Sequence, residues 1–315
     1  MKILITGGFG FIGSHLLKKL ITGTDFQIGV IEPGAADPWR VKDILPKIKT
    51  FNLDIKDYNR VSETIKTFNP DIIIHLSAYY AVEHKSAEIN AMFDTNVTGL
   101  TNLLDSCAEN PVKLFINTST CFVYRESKTP VTETGDILPV NLYALTKVHG
   151  EKTCDYYSEK YNIPTVTLRL FPPYGQRDAA RKLIPVLVHD FMNNTPPKLG
   201  DGKNRWDYVY VEDIAESYLR IINKLKFPSM HEIINIGTGK TASVKDIVLK
   251  IKNILNSSAE PLWNAYSRNK SELAYVCSDN TKIKSVLNWA PETGMLDDGL
   301  IKTVEWYKQY FMKNG

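Results

Sequence analysis

TGGFGFIG, residues 6 to 13, follows directly on the apolar run KILIT (2 to 6) and opens a stretch of helical character over 11 to 22. Gly7, Gly10 and Gly13 are spaced G-x-x-G-x-x-G, and Gly8, Gly10 and Gly13 also satisfy G-x-G-x-x-G; Phe11 and Ile12 lie inside the same turn. Glycines between a strand and a helix permit a tight bend, close approach of backbone to a pyrophosphate and close helix-on-strand packing. The helix N-terminus then favours the anion. An acid about 20 residues past the last glycine completes the pattern, and Glu32 supplies it at the end of the second apolar run. A carboxylate there accepts hydrogen bonds from adenosine ribose hydroxyls and repels a 2′-phosphate, so the expected cofactor is NAD. Arg40, in the following loop, is the residue that would accommodate a phosphate instead.

Apolar runs rich in Ile, Val and Leu recur at 27 to 32, 48 to 53, 72 to 77, 112 to 118 and 164 to 170, and helical stretches at 58 to 68, 88 to 108 and 142 to 161 lie between them. Near-continuous apolar strands alternating with helices predict an α/β fold, a doubly wound parallel sheet covered on both faces. Right-handed crossovers put its ligands at the carboxyl ends of the strands. Asp54, closing the third run, suits the adenine amino group or, equally, a turn or helix cap. After Phe171 the pattern breaks at Pro172-Pro173, Pro196-Pro197 and Gly200-Asp201-Gly202, as a smaller second lobe would. Strand-then-helix character returns at 207 to 225 and again in EIINIG at 232 to 237. The expected division is therefore 1–170 with about 205–240 for dinucleotide binding, and 171–204 with 241–315 for the substrate.

The chain has 315 residues, 43% hydrophobic and 23% charged, which excludes disordered and fibrous classes. Its 38 basic and 35 acidic residues leave a net charge of +3 with no basic run, so neither nucleic acid nor an anionic membrane is an expected partner. The few apolar residues after Met1-Lys2 are too few for a signal-peptide core, and no later stretch reaches membrane-spanning length, so a cytoplasmic protein is expected. Cys107, Cys121, Cys154 and Cys277 show no metal or disulfide spacing.

Tyr143 and Lys147, in NLYALTKVHGEK, are four residues apart and share one helix face. A nearby ammonium favours tyrosinate and lowers a phenol pKa from its usual value of about 10. Such a base can take a hydroxyl proton while hydride leaves the same carbon for nicotinamide. The strand-end hydroxyls of INTSTCFVY (116 to 124) face the same crevice. His75, inside IIIHLS, reads as a hydrogen-bonded core histidine, and His84 and His149 have no partner in sequence.

Taken together, TGGFGFIG, IIIHLSA, NVTGLTNLL, TSTCFVY, YALTK, LRLFPPYGQR, GDGKNRWDYVYVEDIA and LNWAPETGMLDDGLIKTVEWY occur in the order of one family. The chain resembles the extended short-chain dehydrogenase/reductases of the nucleotide-sugar epimerase/dehydratase type, over nearly its whole length. The resemblance implies a Rossmann-type sheet with a smaller C-terminal α/β substrate lobe, bound NAD, and a nucleotide-diphosphate sugar as substrate. It makes Tyr143 the base, Lys147 its electrostatic partner and ribose contact, and Thr120 the hydroxyl on the reacting sugar oxygen. Asp54, Ile55, Leu76, Ser77 and Ala78 would line the cofactor. Tyr80, Asn96, Phe122 and Pro172 would lie on the substrate side, with Arg205 and Arg268 clamping the diphosphate or nucleotide. The helices over 88 to 108 and 142 to 161 would pair with those of a second copy in a homodimer.

Several positions depart from the pattern. The Asp and Glu that family dehydratases place after the threonine are Cys121 and Phe122 here, and phenylalanine transfers no proton. Pro172 stands where an Asn usually meets the substrate, Arg125 replaces a common glycine, and Tyr79-Tyr80 put two phenols in the loop after the fourth strand. An epimerase acting through a 4-keto sugar is expected. An atypical dehydratase using Cys121, a 4-ketoreductase and a non-catalytic dinucleotide sensor are the alternatives.

Overall fold

The computed structural model describes residues 1–267, 273–293 and 296–314. In chain order they form β1 (Lys2–Thr6), α1 (Phe11–Gly23), β2 (Gln27–Glu32), β3 (Lys49–Asn52), α2 (Tyr58–Phe68), β4 (Ile72–His75), α3 (Ile89–Phe93), α4 (Gly99–Glu109), β5 (Leu114–Thr120), α5 (Leu142–Tyr161) and β6 (Thr165–Leu170). They continue with β7 (Pro173–Tyr174), α6 (Leu183–Met192), β8 (Arg205–Trp206), β9 (Val209–Tyr210), α7 (Val211–Lys224), β10 (His231–Ile236), β11 (Ala242–Ser243), α8 (Val244–Leu255), β12 (Tyr275–Val276), α9 (Thr281–Leu287) and α10 (Asp298–Asn314).

The continuous apolar runs become strands buried on both faces: Ile3, Leu4, Ile5, Ile72, Ile73, Ile74, Phe115 and Ile116 are all fully enclosed. They belong to a seven-stranded sheet ordered β10-β6-β5-β4-β1-β2-β3. The β1–β2, β2–β3, β1–β4, β4–β5 and β5–β6 pairs are parallel, as expected for a doubly wound sheet. The chain winds from β1 through β2 to β3 in one direction, then returns to lay β4 on the other side of β1. The strand order thus reverses between β1 and β4, where such sheets open a ligand crevice.

Local chemistry sets the helix boundaries. Asp57 caps α2 by accepting from Arg60 N at 3.2 Å, and Asn141 caps α5 by accepting from Ala144 N at 2.8 Å. Asn69 and Asn162, at φ 52° and 55°, end the same two helices in the left-handed conformation that asparagine tolerates. Val61, Ile65 and Phe68 of α2, Leu100, Leu103 and Leu104 of α4, and Cys154 of α5 pack into one cluster with Leu4, Ile31 and Phe115 of the sheet. The single helix expected over 88 to 108 is interrupted by a π-helical turn at Asp94–Thr98. That wider turn carries Asn96, which is buried.

Two compact units result. The first comprises Met1–Arg125, Gly135–Leu170 and Ala215–Asn235; the second holds Glu126–Thr134, Phe171–Ile214 and the chain from Ile236 onward. The stretch returning to the first unit is shorter than the 205–240 read from the sequence, because β8 and β9 pair inside the second. There β8 lies between β11 and β12. Asp207, fully buried, holds the second unit's loops together by accepting from Thr238 N (2.8 Å) and Oγ1 (2.5 Å), Gly239 N (3.0 Å), and Ser278 N (3.1 Å) and Oγ (2.6 Å). Five donors are what an enclosed carboxylate needs to replace water.

The glycine turn is the tightest packing in the first unit. A Cβ at Gly13 would sit 2.5 Å from Gly7 O and 2.7 Å from Gly8 Cα, whereas one at Gly23 would meet nothing within 4 Å. Gly13→Ala is expected to cost about 1–3 kcal/mol in denaturant unfolding. Gly23→Ala, at the end of the same helix, should stabilise by about 0.5–1 kcal/mol.

Candidate active site

The crevice between β1 and β4 is built from backbone. Gly7, at φ +72°, brings the end of β1 so close to the end of β4 that a Cβ there would lie 2.6 Å from Ser77 N and 2.8 Å from Leu76 C. Leu76 N donates to Thr6 O at 3.0 Å, and Ser77 N to Thr6 Oγ1 at 3.3 Å, so Leu76, Ser77 and the exposed Ala78 begin their loop beside the glycine turn. At Gly10 a Cβ would touch only Gly7 O, at 3.1 Å, and otherwise project into the space before α1. Gly10 caps α1 without a side-chain bond, and no acid lies in the first turn. The N-terminal amides next to Phe11 and Ile12 therefore keep their field for an anion.

Glu32 is buried at the end of β2, and its Oε1 accepts from Phe9 N at 2.7 Å. Burial pushes its carboxyl up to about 7, against the opposing pull of the Phe9 amide. Arg40 lies over the Trp39 ring, 4.3 Å from its centroid. Ile55 is buried and packs on α4 at Gly99, where a Cβ would meet its Cδ1 at 2.6 Å. Asp54 accepts from Lys56 N at 3.0 Å and pairs with Lys56 Nζ at 3.2 Å, a turn arrangement on the surface.

The other half of the site comes from β5 and the first two turns of α5. The Asn141 cap starts α5 so that Tyr143 stands in its first turn and Lys147 one turn further. Lys147 Nζ donates to Thr118 O at 2.9 Å and lies 5.8 Å from the centroid of the Tyr143 ring. Burial pulls Lys147 down to about 8, opposed by Cys154 and Glu151. Tyr143 does not follow the expected lowering. Burial drives its phenol above the ordinary tyrosine range, and Tyr80, Cys121 and Tyr218 add to the rise. Desolvation of the anion is the largest cause.

Thr120 ends β5, and its Oγ1 accepts from Phe122 N at 3.3 Å; Cys121 is buried behind it and Phe122 is half-buried. His75 is a core histidine as expected, bonded through Nδ1 to Thr6 Oγ1 at 2.8 Å, with burial holding it down to about 3. Asn96 is committed within the protein. Its Oδ1 accepts from Tyr79 N (2.7 Å), and its Nδ2 donates to Tyr79 O (3.0 Å) and Thr146 Oγ1 (2.9 Å). Both amide protons are used, so Asn96 clamps the loop after β4 onto α5 instead of facing a substrate. The clamp seats Tyr80, 39% exposed, edge-on against Tyr143 with ring centroids 4.9 Å apart.

In the second unit, Pro172 is buried and its carbonyl accepts from Val209 N at 2.9 Å. Arg205 is exposed, with Nε on Thr241 Oγ1 (3.3 Å), Nη2 on Thr241 O (3.1 Å) and Nη1 3.8 Å from Asp246. Arg268 lies outside the described residues. Sequence reasoning passed over Glu151 and Arg169, a buried ion pair beside Lys147, although the i, i+4 spacing of Lys147 and Glu151 and an arginine inside the apolar run TVTLRL were both visible.

The model of the NAD-dependent epimerase/dehydratase family matches residues 3–237. The chain belongs to that family. It is 30% identical over 324 residues to a Bacillus subtilis protein named as an uncharacterized UDP-glucose epimerase, covering 99% of each chain. Its fold is similar to that of Thermotoga maritima UDP-glucose 4-epimerase, solved with UDP-glucose (TM-score 0.90, 26% identity, 99% of this chain and 100% of that one). It is also similar to Bacillus cereus UDP-glucuronic acid 4-epimerase, solved with UDP-glucuronic acid and NAD (TM-score 0.89, 27% identity, 98% and 100%).

As a member of the NAD-dependent epimerase/dehydratase family the protein is an enzyme with NAD as its cofactor. The glycine turn, the uncapped start of α1 and the buried Glu32 fit that dinucleotide: amides for the pyrophosphate and an acceptor for the ribose hydroxyls. Because Glu32 has a raised pKa, its ionised form grows as pH rises through about 7. NAD affinity, measured by calorimetry, should therefore increase from pH 6 to pH 8, and Glu32→Gln should bind more weakly and lose that slope. The linked stability term has the opposite sign. A carboxyl raised on folding stabilises below its unfolded value and loses that contribution as pH passes 7, so Glu32→Gln should gain stability relative to wild type at pH 8.

Proposed function

We propose that the protein inverts C4 of a nucleotide-diphosphate sugar through a transient 4-keto sugar. The observation that carries this reading is what stands beside Tyr143 and after Thr120: the Tyr80 ring, 4.9 Å from that of Tyr143, and the turn Cys121–Val123, which holds no carboxylate. Dehydration needs an acid and a base to move the C5 proton and expel the C6 hydroxyl, and Cys121 and Phe122 occupy the turn where they would stand. C4 inversion needs one base and one cofactor. The glycine turn and Glu32 would hold NAD, which would supply a reversible hydride acceptor for C4.

Tyr143 takes the proton of the 4-hydroxyl as the C4–H bond breaks, and gives it back when the alcohol re-forms. Its raised pKa makes the neutral phenol the resting form, so the Lys147 ammonium has to lower it in the working complex, where this lysine also contacts ribose. Thr120, at the end of β5, donates to or accepts from the sugar oxygen. In the first unit Tyr80 and Phe122 bear on the sugar; the second unit offers Arg205 for phosphate oxygens. The similar epimerases solved with UDP-glucose and UDP-glucuronic acid support UDP as the nucleotide to test first. Leu145, Tyr156 and Tyr161 leave exposed hydrophobic surface on α5, which suits pairing with a second copy.

Purified protein should interconvert a C4-epimeric pair among UDP-sugars without net change in NAD, and the product made in deuterated water should carry no solvent deuterium. Loss of water from the product mass would establish the dehydratase instead, and net consumption of reduced cofactor the ketoreductase. Tyr143→Phe should cut turnover by about 10²–10⁴-fold while NAD still binds. Light scattering should give twice the chain mass at micromolar concentration; a monomer across the range would remove the dimer.

A further inference from the structure

The helix that carries Tyr143 and Lys147 buries a third charged group for which C4 inversion has no direct use. Glu151 follows Lys147 by four residues, as Lys147 follows Tyr143, so the three share one face on successive turns of α5. Glu151 Oε1 accepts from Ser119 Oγ at 2.6 Å and from Arg169 Nε at 3.0 Å, and Oε2 accepts from Arg169 Nη2 at 2.7 Å. The two side chains are only 4% (Arg169) and 6% (Glu151) exposed. The Arg169 guanidinium also lies over the Tyr124 ring, 4.7 Å from its centroid, and the Tyr124 hydroxyl donates to Asn235 Oδ1 at 2.7 Å. Lys147 is bonded to Thr118 and Glu151 to Ser119, so two turns of α5 are fastened to adjacent residues of β5, immediately before Thr120. Apolar residues of similar volume hold a core at least as well as a buried ion pair. Packing alone therefore gives no reason for charge at this place.

We propose that Glu151 is a positioning residue for Lys147, its carboxylate serving as the counter-charge one helical turn away and Arg169 as the clamp that aims it. The groups facing Lys147 are few. From β4 comes His75, held neutral by burial at neutral pH. From α5 come Tyr143, Cys154 and Glu151, and burial keeps both the Tyr143 phenol and the Cys154 thiol protonated. From β5 comes the Thr118 carbonyl, and from β6 Arg169, behind Glu151. Glu151 is thus the anion among them, and its effect on Lys147 opposes that of burial.

The proposal rests on the reading of Tyr143 and Lys147 as the catalytic pair, and its test reads the Lys147 proton directly, so it remains decisive if the C4 epimerase reading fails. The full chain, labelled with ¹³Cε-lysine, is titrated from pH 6 to 10 by NMR, with the Lys147 resonance identified by its loss in Lys147→Arg. Glu151→Gln leaves the Arg169 cation uncompensated and should lower the Lys147 midpoint by about one pH unit, a tenfold change in the protonation constant. Arg169→Met leaves the Glu151 anion and should raise it, and the double variant should fall between the two. Glu151→Asp, which keeps the charge but retracts it by one methylene, gives a smaller fall and serves if Glu151→Gln does not fold. Opposite displacements by the two partners confirm the proposal, because loosened packing has no means of producing opposite signs. Midpoints that stay at the wild-type value in the folded variants, or that move the same way for both partners, overturn it.

Discussion

The approach of the Gly7 backbone to Leu76 and Ser77 is the contact on which the site depends. It joins the ends of β1 and β4 at the point where the strand order reverses, with atoms so close that no side chain fits between them. From this contact the polar arrangement spreads in both directions. Thr6 receives Ser77 N and bonds His75, while Gly7 O receives Gly10 N and packs against Gly13 at the start of α1. A side chain at position 7 would push the loop after β4 away from the start of α1. The loop carrying Tyr79 and Tyr80, tied by Asn96 to α5, would move with it.

The same unit encloses ionisable groups that its core would expel if they lacked partners. Burial drives His75 to its neutral form, lifts Tyr143 and Glu32, and lowers Lys147, so desolvation is the largest influence on each. The compensation is local: a carbonyl for Lys147, a backbone amide for Glu32, a hydroxyl for His75, and a bidentate guanidinium with a serine for Glu151. An enclosed site of this kind strengthens every remaining charge interaction, because little water is left to screen it. Small changes of charge near Lys147 therefore carry chemical weight out of proportion to their effect on packing.

The departures from the family pattern fall in the turn after β5 and the loop after β4, close to Tyr143. Cys121 and Phe122 leave the turn after Thr120 without a carboxylate, and Tyr80 adds an aromatic edge beside Tyr143. The glycine turn is indifferent to these changes, since its contacts are backbone hydrogen bonds and glycine clearances.

Strands, helices and the glycine turn were legible in the sequence because their signals are local: apolar runs, 3.6-residue periodicity and spacing of glycines within one turn. Glu32, Tyr143 and Thr120 could be picked out for the same reason, each at a recognisable end of an element, and Lys147 by its spacing of four from Tyr143. The π-helical turn was not legible, since it depends on Asn96 meeting Tyr79 and Thr146, 17 residues back and 50 residues ahead along the chain. Nor was the balance at Tyr143, where spacing promised a lowered phenol and burial raised it. Composition and pattern determined a parallel doubly wound sheet with a dinucleotide turn. Only the tertiary structure decided that Asn96 is a clamp, that Tyr80 stands against Tyr143, and that Glu151 and Arg169 lie enclosed behind Lys147, because charge, desolvation and hydrogen-bond saturation depend on which distant residues close around a group.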